Sequence, residues 1–319
     1  MSSLFVLATA MFAGLAFTAP TPPASVIATV APVVSAVVGA IPTCSISSIP
    51  ASPSPTHLPH LTRFYGPVVQ NIEVNPIFYG DFPVSLQAKL FTFYGAVVES
   101  PWWSVLSQYG IESGSIGRMF TVPASTKTKL DDVQDIKPML YNLAKTGQIT
   151  PDPKGNSVYT VHVAKEVTVT YQNTFVYAVS GISLAGYHSA VNVTDLGIPG
   201  VKYLVYTVVP NDDVFSPSPT ENVNSMFLAA THELVEAVTN PLFDVAMGIF
   251  AAQGPKGLQQ AAGYTGWVDF DLSTAKYSGE IADFCESWEA GKSNTVGGDG
   301  KKYAVAELWS NKDGKCVSF

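Results

Sequence analysis

The sequence predicts an α/β or α+β fold, in which helices pack on a twisted mixed β-sheet. Two segments carry this prediction most directly. The segment VKYLVYTVVP, residues 201–210, is rich in the β-branched and aromatic residues that favour strands. Residues 128–146 instead repeat apolar side chains at near-helical spacing, and Gly147 follows them as a helix end. Both kinds of element therefore occur within one stretch of chain.

The remaining elements share the same two patterns and surround these segments. In chain order they are a strand-like region at 64–81, a helix at 86–106, strands at 159–171 and 175–179, a further strand around GYHSAV, and a helix carrying THELVEAVTNP. Pro138 within the helix at 128–146 predicts a kink or two short pieces, because proline removes a backbone donor. Pro241 closes the last helix. We expect a single globular domain over residues 61–319.

The composition is acidic and poor in charged residues. The formal net charge is -8, with 17 Lys and Arg against 25 Asp and Glu. Nucleic-acid binding depends on clustered Lys and Arg that displace counterions, so we expect no nucleic-acid partner. Charged residues make up 13% of the chain, compared with about 25% in an average globular protein. Low charge with abundant Gly, Pro and aromatic residues is typical of a secreted protein rich in loops and strands.

The N-terminal residues predict export. LFVLATAMFAGLA, residues 4–16, has the length of a signal-peptide apolar region, and cleavage after Ala16 fits the small-residue rule. This gives a signal peptide over residues 1–16, with a cut after Ala19 as the alternative. A membrane anchor is the competing interpretation, but the apolar run ends at Pro20, short of the roughly 20 residues that span a bilayer. Residues 17–60, rich in Pro, Ser, Ala and Val, are interpreted as a pro-segment or linker.

Cysteine usage and one sequon agree with export. The chain has three cysteines, Cys44, Cys285 and Cys316, of which two can pair in an oxidising compartment. Cys285 and Cys316 both lie in the C-terminal part of the domain, so we expect a disulfide between them. Cys44 is left in the linker. Asn192 begins an Asn-Val-Thr sequon and is a candidate glycosylation site.

The motif THELVEAVTNP, residues 231–241, places two types of metal ligand on one helix face. His232 and Glu236 are four residues apart, so they lie one turn above each other. An imidazole and a carboxylate suit zinc, which takes N and O ligands at about 2.0–2.2 Å. In the related H-E-x-x-H motif, the Glu after the first His activates a metal-bound water. Glu233 holds that position here, and Glu236 replaces the second His.

A catalytic zinc site needs a third protein ligand, and the sequence offers three. Glu280 and Asp283 are three residues apart and face the same way if they lie on a helical turn. His188, in GYHSA, is the other choice. The competing interpretation is structural, because a His and two Glu on a solvated helix face are common without a metal. Paired carboxylates for carbohydrate cleavage are a weaker interpretation, since such carboxylates must lie on either side of a sugar bond.

Four segments together resemble a known family. FYGPVVQNIEVNPIFYGDF, GYHSAV, THELVEAVTNP and GEIADFC occur in this order and cover most of residues 64–316. They resemble the exordium/phosphate-induced protein family and related microbial secreted proteins with an H-E-L-x-E-A-x-T-[DN]-P signature. The resemblance implies an extracellular or cell-wall location and a zincin-like metallopeptidase core.

With this resemblance, His232, Glu236 and Glu280 are expected to hold zinc, and Glu233 to be the catalytic base. Asp283 is an alternative ligand or a partner that orients one, and His188 a ligand or an oxyanion stabiliser. The predicted function is that of a secreted zinc metallopeptidase acting on a peptide or protein substrate. The alternative is a non-catalytic extracellular protein of the exordium type that interacts with cell-wall or host components. After signal cleavage no membrane association is expected.

Overall fold

A computed structural model describes residues 59–123, 127–171, 174–175, 185–211, 219–271, 276–285, 293–317 and 319. All of them belong to one compact unit, Pro55–Phe319. The predicted signal peptide, Cys44 and residues 17–58 of the predicted linker lie outside the described residues.

Sixteen strands occur among the described residues. In chain order they are β1 (Thr62–Arg63), β2 (Glu73–Tyr79), β3 (Ser115–Ile116), β4 (Phe120–Val122), β5 (Lys129–Asp131), β6 (Ser157–Val163), β7 (Thr168–Tyr171), β8 (Thr174–Phe175), β9 (Tyr187–Asn192), β10 (Tyr203–Pro210), β11 (Trp267–Asp271), β12 (Lys276–Gly279), β13 (Asn294–Val296), β14 (Lys302–Ala304), β15 (Leu308–Ser310) and β16 (Lys315–Val317).

A mixed six-stranded sheet forms the centre of the described structure, in the order β3-β2-β6-β10-β9, with β4 also paired to β2. Strands β2, β6 and β10 are parallel neighbours, whereas β9 lies at one edge, antiparallel to β10. All of β6, and all of β10 except Tyr203, is buried, as expected for strands covered on both faces. The predicted α/β fold with a mixed sheet is therefore confirmed. Smaller sheets join β1-β11-β12, β5-β7-β8, β13-β14 and β15-β16.

Two of the three predicted helices are shorter than their apolar patterns indicate, and two of the α-helices, Phe243–Gln253 and Leu258–Ala262, were not predicted. They are α1 (Val84–Val97), α2 (Lys137–Lys145), α3 (Pro219–Thr239), α4 (Phe243–Gln253) and α5 (Leu258–Ala262). The helix predicted at 86–106 ends at Val97 and is followed by a 3-10 segment, Trp103–Tyr109, because Pro101 cannot continue the α-helix. Other 3-10 turns are Thr194–Leu196, Gly254–Gly257 and Asp283–Cys285.

The helix predicted at 128–146 is divided as Pro138 suggests. A π-helical turn, Asp132–Ile136, precedes α2, and Pro138 lies in the first turn of α2, where its missing N–H is not needed. The buried Asp132 accepts hydrogen bonds from the hydroxyls of Tyr187 (2.7 Å) and Tyr206 (2.6 Å). These bonds attach the π-helical turn to β9 and β10.

Helix α3 is a core helix and carries the motif. It packs against β10 and β9, and every residue from 226 to 240 is buried. Its Phe227 ring stacks on Phe93 of α1 with centroids 4.0 Å apart, which adds about 0.5–1.5 kcal/mol beyond simple burial. Because the helix is enclosed on all sides, its polar residues must find partners within the protein.

No single helix among the described residues is long and apolar enough to cross a membrane. Val223–Thr239 and Phe243–Gln253 reach that length and apolar composition only when taken together, and they are bent by 67° relative to each other.

Cys285 and Cys316 form a disulfide, as the sequence predicts. The bond joins the 3-10 turn Asp283–Cys285 to β16. A disulfide is typical of proteins that fold in an oxidising compartment. Asn192, at the end of β9, is exposed, and its glycosylation stays a prediction.

Candidate metal centre

The motif residues lie on one face of α3, as their spacing requires. The Nε2 atom of His232 is 3.2 Å from Oε1 of Glu236, one helical turn later. Both residues are buried, at 8% and 4% exposure. A solvated helix face is thereby excluded. The helix is fixed in place by its apolar residues, so these two polar side chains are held at one position relative to the sheet.

The segment that follows β12 supplies two more carboxylates. Asp283 accepts hydrogen bonds at Oδ2 from the Glu280 backbone N–H (2.9 Å) and the Tyr277 hydroxyl (3.1 Å). These bonds leave Oδ1 of Asp283 facing His232, 3.6 Å from its Nε2 atom. The Asp283 side chain is 35% exposed, so the cluster reaches solvent on this side.

Strand β9 brings in His188 from the edge of the sheet. Its Nδ1 atom is 3.5 Å from Oε2 of Glu233 and 3.6 Å from Oε2 of Glu236. Its Nε2 atom faces Oε1 of Glu280 at 3.7 Å. The imidazole is buried and lies between three carboxylates. Its Nδ1 atom faces Glu233 and Glu236, and its Nε2 atom faces Glu280.

Asn240 positions Glu280 from the end of α3. Its side-chain N–H group donates to Oε1 of Glu280 at 2.8 Å, and its side-chain oxygen accepts from the Gly266 backbone N–H at 2.8 Å. The second bond fixes which end of the amide faces Glu280, because only the NH₂ group can donate. The buried Asn240 thus gives Glu280 a neutral hydrogen-bond donor.

Glu233 fits beside the cluster because residue 186 has no side chain. A Cβ atom at Gly186 would lie 2.7 Å from Cγ of Glu233 and 3.1 Å from its Oε1. Glycine at this position therefore leaves the space that the Glu233 side chain occupies. One Glu233 oxygen faces His188 and the other packs towards Gly186.

Two overlapping groups of side chains could hold a metal ion, and both contain Glu236. One is His188, Glu236 and Glu280, and the other is His232, Glu236 and Asp283. In each group, one ligand atom from each residue lies within 4.8 Å of the others. The set predicted from sequence, His232, Glu236 and Glu280, is not one of these two groups. Glu280 reaches Glu236 in company with His188, and Asp283 is the carboxylate near His232.

The carboxylates surround both histidines closely enough to change their proton affinity. Burial opposes a charge on His188, but Glu280, Glu233 and Glu236 outweigh it and raise its pKa to about 10. Burial likewise opposes a charge on His232, yet the charge of Glu236 and the hydrogen bond that His232 donates to Asp283 raise its pKa well above the ordinary value. Both imidazole rings are therefore protonated on both nitrogens, and positively charged, at neutral pH when no metal ion is bound. A divalent ion replaces such protons.

The carboxylates respond to the same crowding in different ways. Burial raises the pKa of Glu236 to about 7, against the attraction of His232. Burial also raises the pKa of Glu280 well above its ordinary value. Burial acts in the same direction on Asp283, but the contacts with His232 outweigh it and lower the pKa. Burial thus makes negative charge costly at two of these three positions, and a nearby cation would remove that cost.

Two buried atoms of the cluster make no hydrogen bond of normal geometry within the described residues, which fits a metal ion. They are Oε1 of Glu236, although Nε2 of His232 lies 3.2 Å away, and Nε2 of His188. Leaving a buried polar atom unpaired costs about 1–3 kcal/mol, and more for a charged group. A carboxylate oxygen and an imidazole nitrogen are both common zinc ligands. The donor set therefore suits a divalent cation.

An apolar pocket borders the cluster. Phe243 lies against the His188 ring with ring centroids 6.2 Å apart, and the Tyr277 hydroxyl donates a hydrogen bond to Asp283. The rings of Phe243 and Tyr277 contact each other with centroids 5.2 Å apart. The pocket lies behind these two rings and is small. It is lined by Phe64, Phe243, Met247, Phe250, Leu258, Ala261, Ala262, Thr265, Val268, Phe270 and Tyr277.

The sequence pointed to all six titratable residues of the cluster but missed three that shape it. Tyr277, Asn240 and Gly186 contact the carboxylates directly. Asn240 and Gly186 lie within THELVEAVTNP and GYHSAV, and Tyr277 lies two residues before GEIADFC, which is the signal that could have indicated them. Comparisons with protein-family models, curated proteins and solved structures found no match to this chain, so the resemblance to the exordium family stays a prediction.

Proposed function

We propose that this chain is a secreted zinc-dependent metallopeptidase, related to the exordium-type proteins, that cleaves peptide or protein substrates. The observation that carries the proposal is the convergence of His232, Glu236 and Asp283 beside Glu233. The order of His232, Glu233 and Glu236 on α3 is the one that water activation by a metal and an adjacent carboxylate requires. The disulfide supports folding in an oxidising compartment, in agreement with secretion.

The zinc is assigned to His232, Glu236 and Asp283 because one nitrogen faces both carboxylates. Nε2 of His232 is 3.2 Å from Glu236 Oε1 and 3.6 Å from Asp283 Oδ1. Ligand atoms around a tetrahedral zinc with bonds of about 2.0–2.2 Å are separated by roughly 3.3–3.6 Å. The metal-free distances are therefore close to those that zinc needs. In this proposal Asp283, and not Glu280, is the third zinc ligand beside His232 and Glu236.

Glu233 is assigned the base. When bound at such a site, zinc lowers the pKa of water and polarises the scissile carbonyl. Glu233 follows His232 in the chain, and its carboxylate accepts the proton of the attacking water and passes it to the leaving amine. His188, 3.5 Å from Glu233, holds that carboxylate in position. Substrate reaches these groups from the side of Asp283, whose side chain is the most exposed of the cluster.

A non-catalytic extracellular protein remains the second candidate, and the depth of the cluster favours it. His232, Glu233 and Glu236 are each less than 9% exposed. If Asp283 does not open a path to substrate, the ion at this site is structural. The fold then presents its outer surface to cell-wall or host components.

The test compares Glu233→Gln with the wild-type protein. Zinc-loaded protein is incubated with a mixture of peptides, and cleavage is followed by mass spectrometry. General-base catalysis contributes about 10²- to 10⁴-fold, so we expect Glu233→Gln to lose that much rate while zinc content is retained. Glu166→Gln, an exposed Glu away from the cluster, is the matched control and should keep full rate. Equal rates for Glu233→Gln and wild type, or no cleavage by zinc-loaded wild type, would support the non-catalytic candidate.

A further inference from the structure

The cluster contains more negative charge than its own histidines can balance. Four carboxylates meet here, three of them buried and the fourth, Asp283, partly exposed. Across the described ranges, the counter-charges within 4.0 Å of these carboxylates are two imidazoles, His188 and His232. Even with both rings protonated, two negative charges stay uncompensated when all four carboxylates are ionised. Uncompensated buried charge is strongly destabilising, so the excess must be neutralised, either by protons on the carboxylates of the metal-free protein or by bound cations.

The two oxygens of Glu236 face two different imidazoles. Oε1 lies 3.2 Å from Nε2 of His232, and Oε2 lies 3.6 Å from Nδ1 of His188. One carboxylate therefore belongs to both candidate groups, and its two oxygens face different histidines. This is the arrangement of a bridging ligand between two ions, which in two-metal sites lie about 3.5–4 Å apart.

The His188 ring is oriented as a ligand for the second ion. Its Nδ1 atom faces the Glu233 carboxylate, and histidines that bind metals commonly direct their other nitrogen to a carboxylate. Its buried Nε2 atom has no hydrogen-bond partner in the part of the chain that the structure describes, and it points towards Glu280, 3.7 Å away. Glu280 is held in turn by Asn240. A buried, unpartnered nitrogen directed at a fixed carboxylate is an observation independent of the charge count.

We propose that the cluster binds two divalent cations at once, bridged by Glu236. The first lies between His232 and Asp283, and the second between Nε2 of His188 and Oε1 of Glu280. Two divalent ions with neutral imidazoles balance the four carboxylates. This inference rests on the proposed zinc site at His232, but it concerns the number of ions bound and is tested by metal content, without reference to cleavage.

Stoichiometry tests the proposal directly. The full secreted chain is stripped with a chelator, reloaded with zinc, freed of excess by gel filtration and analysed for zinc per chain by elemental analysis and native mass spectrometry. Wild type should hold two zinc ions. His188→Gln and His232→Gln should each hold one, and Glu236→Gln should lose both or bind them far more weakly. His60→Gln, outside the cluster, is the matched control and should hold two.

A measurement on the wild type alone guards against variants that fail to fold. When cobalt(II) replaces zinc, two ions bridged by Glu236 should show magnetic coupling in electron paramagnetic resonance at two equivalents. One zinc ion per wild-type chain at saturation, or two cobalt ions without coupling, overturns the proposal. Two bound zinc ions without peptide cleavage would support the metal pair and contradict the proposed peptidase activity. Peptide cleavage by protein that holds a single ion would support the peptidase activity and contradict the metal pair.

Discussion

Acid should remove a stabilising contribution that one buried histidine, His162 in β6, makes at neutral pH. Its ring is fully buried, lies at 5.5 Å from the Phe78 ring and meets the Tyr94 hydroxyl at Nε2 over 3.0 Å. Burial lowers the pKa of His162 to about 3, although a backbone hydrogen bond with Val209 acts in the opposite direction. In the folded protein the ring therefore stays neutral, and Nε2 can accept from Tyr94.

The magnitude follows from the difference between the folded and unfolded pKa values. The unfolded chain protonates His162 near pH 6.5, whereas the folded protein does so near pH 3, so the unfolded state binds one more proton between these values. Stability conferred by the neutral ring is complete above pH 6.5 and is lost as pH falls towards 3. Since one pKa unit corresponds to about 1.4 kcal/mol, lowering the pH from 7.5 to 5 should cost about 2 kcal/mol at this residue.

The assay is urea unfolding followed by tryptophan fluorescence between pH 5 and 7.5, for wild type and His162→Gln. Glutamine offers Tyr94 an acceptor but cannot be protonated, so wild type should lose about 2 kcal/mol more than the variant over this range. The raised pKa values of His188 and His232 have the opposite pH dependence, but they are common to both proteins and cancel in the difference. Parallel stability curves for the two proteins would refute this reasoning.

Two further substitutions test the packing of the cluster. Gly186→Ala places a methyl group 2.7 Å from Cγ of Glu233, so it should cost about 1–3 kcal/mol in thermal unfolding. Gly248→Ala, where no atom lies within 4 Å, is the control and should be neutral or stabilise α4 by up to about 1 kcal/mol; equal effects at both sites would contradict the crowding argument. Asn240→Asp replaces a donor to Glu280 with a second carboxylate and should destabilise metal-free protein by about 1.5–3 kcal/mol in urea unfolding, with added zinc recovering part of the loss. An unchanged midpoint for Asn240→Asp would show that this hydrogen bond contributes nothing.

The elements predicted best from sequence are those with a strong local pattern. The strand expected at 201–210 is β10, Tyr203–Pro210, because β-branched and aromatic residues dominate it. The division of the helix at Pro138 was predictable, since the effect of proline is local. The π-helical form of Asp132–Ile136 was not, because it depends on Asp132 meeting two tyrosines more than fifty residues away.

The candidate site divides in the same way. The pairing of His232 with Glu236 follows from helical geometry alone. The partners of Glu280 and Asp283 do not, since the expectation that both face one way assumed a helix. The chain instead leaves β12 and forms a 3-10 turn in which Asp283 accepts from the Glu280 backbone. Their side chains consequently approach different histidines, a result of tertiary structure that spacing cannot reveal.

The position of the disulfide has a consequence for how the protein matures. Cys285 is two residues from Asp283, and its bond to Cys316 attaches the turn bearing Asp283 to the C-terminal hairpin of β15 and β16. The disulfide therefore adds to the hydrogen bonds from Glu280 and Tyr277 that position Asp283. If the proposed metal site is correct, a chain with reduced cysteines should hold Asp283 less firmly and bind the ion more weakly than the oxidised chain. Thiol oxidation would then strengthen metal binding at this site.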